Sequence, residues 1–158
     1  MENKEFAVFI LTHGRPDNVK TLQTLKKCGY TGNIYFIVDN EDKTADKYIK
    51  NFGSENVKIF DKKFYADNVD EGNNFDERRT ITMARNACFD IARQIGITYF
   101  IELDDDYNDF RFKIDHNGYY IYRKLINKID NIFYILLDYY KSINCLSLAR
   151  AQGGGFFW

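Results

Sequence analysis

Proline and cysteine are scarce in this sequence, and the few that are present exclude several classes of protein. One proline among 158 residues argues against Pro-rich linkers, while 45% hydrophobic and 17% aromatic residues argue against a disordered chain. The three cysteines are far apart and no C-x-x-C occurs, so no disulfide framework is indicated. We therefore expect a single reduced, cytoplasmic domain over residues 1–158.

Strong net charge and long apolar runs are also lacking. The 22 basic and 23 acidic side chains leave a net charge of -1, which gives no broad signal for binding a phosphate backbone. The composition therefore neither excludes nor favours a nucleic-acid partner. The longest apolar tract, 132–137, is too short to cross a bilayer, and the polar residues 1–5 do not form a signal peptide. We expect no membrane association.

Several common catalytic motifs are absent. The sequence contains no G-x-G-x-x-G, no Walker loop and no G-x-S-x-G, which argues against dinucleotide redox chemistry, P-loop phosphoryl transfer and a serine nucleophile elbow. The two histidines are far apart and show no zinc spacing. A nucleotidyltransferase would share an α/β plan, but its usual glycine-rich, basic first loop is not seen.

What the sequence does contain is a regular alternation of strand and helix patterns. Continuous apolar runs predict buried strands at residues 6–12, 34–38, 57–60 and 99–103. Apolar residues at helical spacing predict helices over residues 17–27, 44–52 and 79–95. The polar segment 61–76 predicts a surface loop. A β-hairpin around Asn117-Gly118, spanning 110–122, and a long helix over 124–143 follow. This order predicts an α/β fold with a mainly parallel sheet flanked by helices.

Polar clusters come directly after three of the predicted strands. They occupy residues 12–15, 39–42 and 104–106. In parallel sheets, ligands bind beyond the carboxyl ends of the strands. The coincidence of the three clusters with three strand ends therefore predicts one common binding site.

The aspartate triplet at 104–106 has the composition of a divalent metal site. Alternate residues of an extended chain share a face, so we expect Asp104 and Asp106 to converge while Asp105 points elsewhere. Two converging carboxylates repel each other and favour a cation between them. Mg²⁺ and Mn²⁺ commonly take one or two carboxylates together with substrate phosphates. The alternative is an ordinary solvated acidic turn.

The other two clusters and the third helix offer groups that suit a nucleotide. Gly14 allows close backbone approach and Arg15 offers a fork for phosphate, although an ordinary strand-to-helix turn explains both. Asp39 suits a ribose hydroxyl or a base N–H, and equally a turn or helix cap. Arg85 lies beside the apolar stripe of the third helix and needs an anionic partner. That partner is either a diphosphate or one of the aspartates.

With these residues in place, the chain resembles the GT-A (Rossmann-like) nucleotide-sugar glycosyltransferases of the family 2 kind. The motifs that carry the resemblance are Thr12-His13-Gly14-Arg15-Pro16, Val38-Asp39-Asn40, Ala84-Arg85-Asn86 and Leu103-Asp104-Asp105-Asp106. It is most similar to phage-encoded glycosyltransferases associated with TET-type oxidation of DNA bases. The resemblance covers residues 6–106. It implies transfer of a sugar from a UDP-sugar to hydroxymethylated pyrimidines in DNA, in the cytoplasm of the phage host.

The resemblance also implies a role for each matching position. The nucleotide-sugar-binding set is Thr12, His13, Arg15, Asp39, Arg79, Arg85, Asp104 and Asp105. Asp39 would contact uracil or ribose, and Arg79 or Arg85 would lie near the phosphates. Asp104 would approach the ribose, and Asp106, with Asp104, would hold Mn²⁺ or Mg²⁺.

The sequence departs from the family pattern in its acceptor half. Inverting members usually carry an acidic catalytic base there, but after Asp109 the chain offers only Asp115, Asp130 and Asp138, none of them convincing. In relatives the stretch at 152–155 leads into more chain, so the resemblance raises the expectation of C-terminal truncation. Two hypotheses stay open: an active glycosyltransferase, and a non-catalytic nucleotide-sugar-binding remnant of one.

Overall fold

The computed structural model describes residues 5–68, 81–113, 117–119 and 125–149, and these form a layered α/β fold. Its sheet has four parallel strands: β1 (Phe6–Leu11), β2 (Asn33–Asp39), β3 (Val57–Phe60) and β4 (Tyr99–Asp104). The strand order is β3-β2-β1-β4. The predicted fold class, a Rossmann-like parallel sheet flanked by helices, is confirmed.

Helices cover both faces of this sheet. They are α1 (Lys20–Lys27), α2 (Ala45–Phe52), α3 (Lys62–Asn68), α4 (Thr82–Ile95) and α5 (Ile129–Ser142). The core on one face includes Val8 and Ile10 of β1, and the core on the other includes Ala7 and Phe9. Because β1 is buried on both faces, its sequence is apolar at every position instead of alternating.

The register of the strands aligns their carboxyl ends along one edge of the sheet. Leu11 of β1 lies opposite Asp104 of β4, and Asp39 of β2 lies opposite Phe60 of β3. We call this side of the sheet the carboxyl edge. It gathers the segments that follow β3, β2, β1 and β4, in that spatial order.

Several predicted boundaries differ from the structure. The predicted loop at 61–76 is wrong in its first part, because α3 begins at Lys62; the Asp61 carboxylate accepts the Phe64 amide at 3.1 Å and caps it. The rest of that segment, from residue 69, lies outside the described residues. The first helix begins at Lys20, later than predicted, after a turn in which Asn18 donates to the Arg15 carbonyl. The last helix begins at Ile129 and not at residue 124.

Much of the predicted β-hairpin at 110–122 lies outside the described residues. What is described includes an antiparallel bridge between Arg111 and Leu125 and a positive φ of 81° at Gly118. Because this bridge is antiparallel, the chain reverses direction between Arg111 and Leu125. Within the described ranges, no helix is long and apolar enough to cross a membrane.

Candidate functional site at the carboxyl edge

The loop after β1 and the turn after β4 meet at Asp105. Thr12 Oγ1 donates to Asp105 Oδ2 at 2.7 Å, and Arg15 Nη1 donates to Asp105 Oδ1 at 3.0 Å. Asp105 is buried, whereas the Arg15 side chain is 58% exposed. Both carboxylate oxygens of Asp105 therefore serve to join two polar clusters that the sequence placed at one site, and Arg15 is held at the surface of that junction.

Tyr48 of α2 also contributes to this junction, through its hydroxyl group. Its hydroxyl lies 2.8 Å from Thr12 Oγ1 and accepts the Arg15 backbone N–H at 2.8 Å. Because Thr12 uses its own proton on Asp105, the Tyr48 hydroxyl donates to Thr12. Tyr48 is fully buried, and this burial raises the pKa of its hydroxyl. In the sequence Tyr48 reads only as part of an apolar helical face.

Asp39, at the end of β2, has partners from three segments. Its Oδ2 lies 2.7 Å from His13 Nδ1, and its Oδ1 accepts the Glu41 backbone N–H at 3.1 Å. Lys62 Nζ, at the start of α3, lies 3.6 Å from Oδ1. Asp39 is therefore a turn aspartate and also the anionic partner of two side chains. Lys62 was missed because it falls in a segment predicted to be a loop.

Asp42 ties the loop after β2 to the loop after β1. Its Oδ2 accepts the Gly14 N–H at 2.7 Å, and its Oδ1 accepts both the backbone N–H and the hydroxyl of Thr44, each at 2.7 Å. Burial works to raise the pKa of Asp42, but the hydrogen bonds from Thr44 and Gly14 hold that pKa below its ordinary value. Asp42 therefore fixes the path of the glycine turn beside His13.

Asp104 points to the opposite face of the sheet from Asp105, as the alternation along a strand predicts. Arg85 of α4 faces it, with Nη2 at 3.7 Å from Asp104 Oδ1, and Arg85 Nε lies 3.9 Å from Glu102 Oε2. Of the two anionic partners that the sequence left open for Arg85, the structure therefore shows an aspartate, Asp104. Glu102 is a second carboxylate beside the same guanidinium. Among the described residues, Asp104 Oδ1 is the buried side-chain oxygen that has no hydrogen-bond partner.

Glu102 shares the guanidinium of Arg85 with Asp104. Burial raises the pKa of Glu102 to about 6, Arg85 and a hydrogen bond with the Cys88 thiol work against that rise, and the charge of Asp104 adds to it. Burial also raises the pKa of the Cys88 thiol. The carboxylates of Glu102 and Asp104, on one face of β4, are therefore both stabilised by a single cation, the half-exposed guanidinium of Arg85.

The backbone of the aspartate turn is held by α1. The Thr21 hydroxyl donates to the Asp104 carbonyl and accepts the Tyr107 N–H at 2.9 Å. The Thr21 N–H donates to the Asp105 carbonyl at 3.1 Å, and the Thr24 hydroxyl donates to the Tyr107 carbonyl at 2.8 Å. The turn thus has a fixed path, and Asp106 is exposed on it.

The remaining residues named from the sequence either lie outside the described residues or lie away from the carboxyl edge. Arg79, predicted near the phosphates, and Asp115 lie outside the described residues. Asp130 accepts the Thr31 amide at 3.1 Å and the Thr31 hydroxyl at 2.7 Å, so it ties α5 to the segment before β2. The described part of the chain contains no cluster of three or more His, Cys, Asp or Glu placed to hold a metal. The predicted convergence of Asp104 and Asp106 on a cation stays a prediction.

Comparison with known proteins gives a family match. A family model described as TET-Associated Glycosyltransferase matches residues 6–157. No curated protein and no solved structure matches the chain significantly. The matched range includes every segment of the carboxyl edge and extends well beyond residues 6–106, over which the sequence motifs alone carry the resemblance.

Proposed function

Because the chain belongs to the TET-associated glycosyltransferase family, we propose that its carboxyl edge binds a UDP-sugar together with Mn²⁺ or Mg²⁺. The acceptor in this proposal is the hydroxyl group of a hydroxymethylated pyrimidine in DNA, because the oxidation associated with TET enzymes supplies such a group. The acceptor oxygen attacks the anomeric carbon and releases its proton to water. The bond between that carbon and the phosphate oxygen breaks, and UDP leaves with the electron pair.

The observation that carries this proposal is that Asp104 Oδ1 accepts no hydrogen bond from any described residue, the cation beside it being Arg85 Nη2 at 3.7 Å. A buried acceptor without a hydrogen bond costs about 1–3 kcal/mol, so proteins seldom keep one without a use for it. Asp104 Oδ1 is such an atom among the described residues. A ribose hydroxyl or a divalent cation bound at this end of the edge would supply the missing partner.

The residues around the turn fit a divalent cation with a diphosphate. Asp104 and the exposed Asp106 offer oxygen ligands of the kind that Mn²⁺ and Mg²⁺ prefer. Such an ion, when bound, would act as a Lewis acid that stabilises the departing diphosphate. Asp105 is already engaged by Thr12 and Arg15, so its part is to hold the turn and the arginine in place.

Two arginines flank the turn from opposite faces of the sheet. Arg15 and Arg85 are 58% and 48% exposed, and each keeps N–H donors beyond the contact it makes with a carboxylate. Guanidinium groups suit phosphate oxygens because they donate two parallel hydrogen bonds. In this proposal the two side chains orient the diphosphate while the acidic turn binds the cation.

A non-catalytic nucleotide-sugar-binding protein is the second candidate. Asp130 favours it, because its contacts with Thr31 hold it beside the amino end of β2, opposite the carboxyl edge, where it is not placed to act as a base on an acceptor. Both candidates require donor binding, and only the enzyme requires turnover. Release of UDP from a panel of UDP-sugars, with hydroxymethylated DNA as acceptor and unmodified DNA as control, distinguishes them.

Isothermal titration with UDP and Mn²⁺ tests the donor site directly. We expect the unmodified protein to bind UDP in a Mn²⁺-dependent way, and Asp106→Ala to bind it about tenfold or more weakly, because a metal ligand is lost. Asp138→Ala, on the exposed side of α5, is the matched control and should bind like the parent. If UDP does not bind, or if Asp106→Ala binds equally well, the proposal is wrong.

A further inference from the structure

The balanced net charge of the chain hides a local excess of positive charge on α1. The eight residues of this helix include three lysines, Lys20, Lys26 and Lys27, and no acidic residue. Because the whole chain has a net charge of -1, the remainder of it is net acidic. All three lysines are exposed. The outer face of α1 is therefore a surface of the kind that attracts an anionic polymer.

The surroundings of these lysines do not explain their charge. Within the described residues, no carboxylate forms an ion pair with a lysine of α1, whereas Lys47, Lys63 and Lys141 each have such a partner. Lys20 stands in the first turn of α1, where a positive charge opposes the helix dipole. Neither an ion pair with a described residue nor the stability of the helix therefore accounts for Lys20. Its ammonium keeps its N–H donors for a ligand.

The lysines of α1 start at the carboxyl edge and lead away from it. Thr21, the residue after Lys20, donates its hydroxyl to the Asp104 carbonyl, so the start of α1 lies against the aspartate turn. Lys27 is seven residues after Lys20, which is close to two helical turns. The two side chains therefore project from the same face of the helix, about 10 Å apart along its axis.

A fourth exposed lysine lies beyond the end of α1. Lys128 immediately precedes α5, whose first residue, Ile129, donates its N–H to the Cys28 carbonyl at 2.9 Å. The start of α5 is thereby held against the end of α1. We call the four residues the lysine row: Lys20, Lys26, Lys27 and Lys128. Since nucleotides of one DNA strand repeat about every 3.4 Å along the duplex axis, the part of the row on α1 spans about three of them.

We infer that the lysine row binds the phosphate backbone of the acceptor DNA beside the target base, an inference that rests on the proposed function. Each ammonium group that neutralises a phosphate releases a condensed counterion, which favours binding. Because α1 starts at the aspartate turn, a strand held along the row leads its target base to the carboxyl edge. Phosphate contacts position a duplex and carry no sequence information, so the row places the base without selecting it.

A membrane surface is the other anionic partner to be compared with DNA. Helices that lie on a bilayer insert Trp, Phe or Leu side chains beside their lysines. Over the described residues 5–58, which include α1 and α2, no large hydrophobic side chain is exposed. Thus α1 has the charge of a membrane-binding helix without its apolar anchors, and a polymer of phosphates fits it better.

Two pairs of exposed lysines supply a matched test. The double variant Lys20→Gln/Lys27→Gln removes two charges from the lysine row. The control Lys63→Gln/Lys141→Gln removes two charges elsewhere, from α3 and from the far end of α5. Lys141 is about 20 Å from Lys128 along that helix. Both changes leave the core intact, and circular dichroism checks that each variant is folded.

Fluorescence anisotropy with a labelled DNA duplex, measured over a series of salt concentrations, tests the lysine row. We expect Lys20→Gln/Lys27→Gln to bind about tenfold or more weakly than the parent at low salt. The slope of log K against log salt should fall in magnitude by about two, because two phosphate contacts are lost. The control Lys63→Gln/Lys141→Gln should bind like the parent. Hydroxymethylated and unmodified duplexes should weaken by the same factor. Equal affinities and slopes of the two folded double variants overturn the inference.

A measurement on the parent protein tests the same contact without a variant. Acetylation of lysines, followed by mass spectrometry, is compared with and without the DNA duplex. We expect DNA to protect Lys20 and Lys27 and to leave Lys63 as reactive as before, because only the row contacts phosphates. If Lys20 and Lys27 react equally fast in the complex, the inference is overturned even where a double variant does not fold.

Two further titrations separate the possible outcomes. With UDP and Mn²⁺, Lys20→Gln/Lys27→Gln should bind like the parent, so a loss confined to DNA supports the inference. A parent that binds UDP but not DNA overturns the inference and leaves the donor site standing, whereas a parent that binds no UDP overturns both. Vesicles of phosphatidylcholine and phosphatidylserine should not bind. Vesicle binding that needs Lys20 and Lys27, with DNA binding independent of them, assigns the row to a membrane instead.

Discussion

Asp104 and Asp105 are neighbours in the sequence, yet their surroundings differ in kind. Asp105 accepts hydrogen bonds of ordinary length from Thr12 and Arg15 on one face of the sheet. Asp104, on the other face, has Arg85 at 3.7 Å and one buried oxygen without a hydrogen bond. A carboxylate whose acceptors are satisfied stabilises the fold, whereas one left short of partners has capacity for a ligand. The two faces of β4 thus differ: Asp105 supports the fold, and Asp104 is the carboxylate to which the proposed function gives a ligand.

Substituting Asp105 and Asp104 in turn tests this difference directly and should give the largest change in the free energy of unfolding. Asp105→Asn replaces one acceptor oxygen by an amino group that meets a donor, so we expect the free energy of unfolding to fall by about 3 kcal/mol. Asp104→Asn should change it by less than about 0.5 kcal/mol, because the lost contact with the half-exposed Arg85 is weak. Urea denaturation of both variants measures the difference. Equal losses would mean that the two carboxylates do the same work in the fold.

The Asp104 face should also show a pH dependence that comes from Glu102. Its pKa is raised from 4.5 to about 6, so the folded protein binds more protons than the unfolded chain between these values. The contribution of Glu102 to stability is therefore fully present below about pH 4.5 and is lost as the pH rises through about 6. In Glu102→Gln this loss is absent.

The free energy of unfolding, measured in urea at pH 4.5 and at pH 7, tests this expectation. Glu102→Gln should match the parent at pH 4.5 and exceed it by about 2 kcal/mol at pH 7, which corresponds to the shift in pKa. Asp138→Asn, at an exposed position of α5, is the control and should follow the parent at both values. If the difference in the free energy of unfolding between Glu102→Gln and the parent does not change with pH, burial does not raise the pKa of Glu102 as stated.

The smallest of the three effects should come from Tyr48, on the Asp105 face. Tyr48→Phe removes a hydroxyl that donates to Thr12 and accepts the Arg15 N–H, so we expect a loss of about 1 kcal/mol in the free energy of unfolding. Tyr139→Phe, at a position 53% exposed, should lose nothing measurable. Thermal or urea denaturation of the pair measures this. Identical behaviour of the two variants would show that the Tyr48 hydroxyl does not support the junction.

The strands could be predicted from the sequence because they lie inside a sheet that is covered on both faces. Strands buried on both faces of a parallel sheet are apolar at every position, so their limits stand out against polar segments. The first strand was predicted over 6–12 and ends at Leu11, and the fourth was predicted over 99–103 and ends at Asp104. The meeting of the polar clusters followed from the same reasoning, since parallel strands bring their carboxyl ends to one edge.

Contacts between distant residues could not be read in the same way. Tyr48 and Thr12 are separated by 36 positions, and nothing local distinguishes a Tyr whose ring fills a core from one whose hydroxyl also reaches a strand end. Two signals were nevertheless present. Asp61 stands at the capping position of α3, and Glu102 is a charged residue inside a run predicted to be buried, which implies a partner.

The hydrogen bonds from α1 to the aspartate turn affect which substitutions the turn can accept. Thr21 and Thr24 bind main-chain atoms of residues 104, 105 and 107, and none of these contacts uses the side chain of Asp104 or Asp106. The loop therefore keeps its shape whatever those two side chains are. If these two side chains bind the metal and the donor as proposed, mutation can exchange them without refolding the loop, and the affinity for different metals or donors can change while the scaffold stays constant.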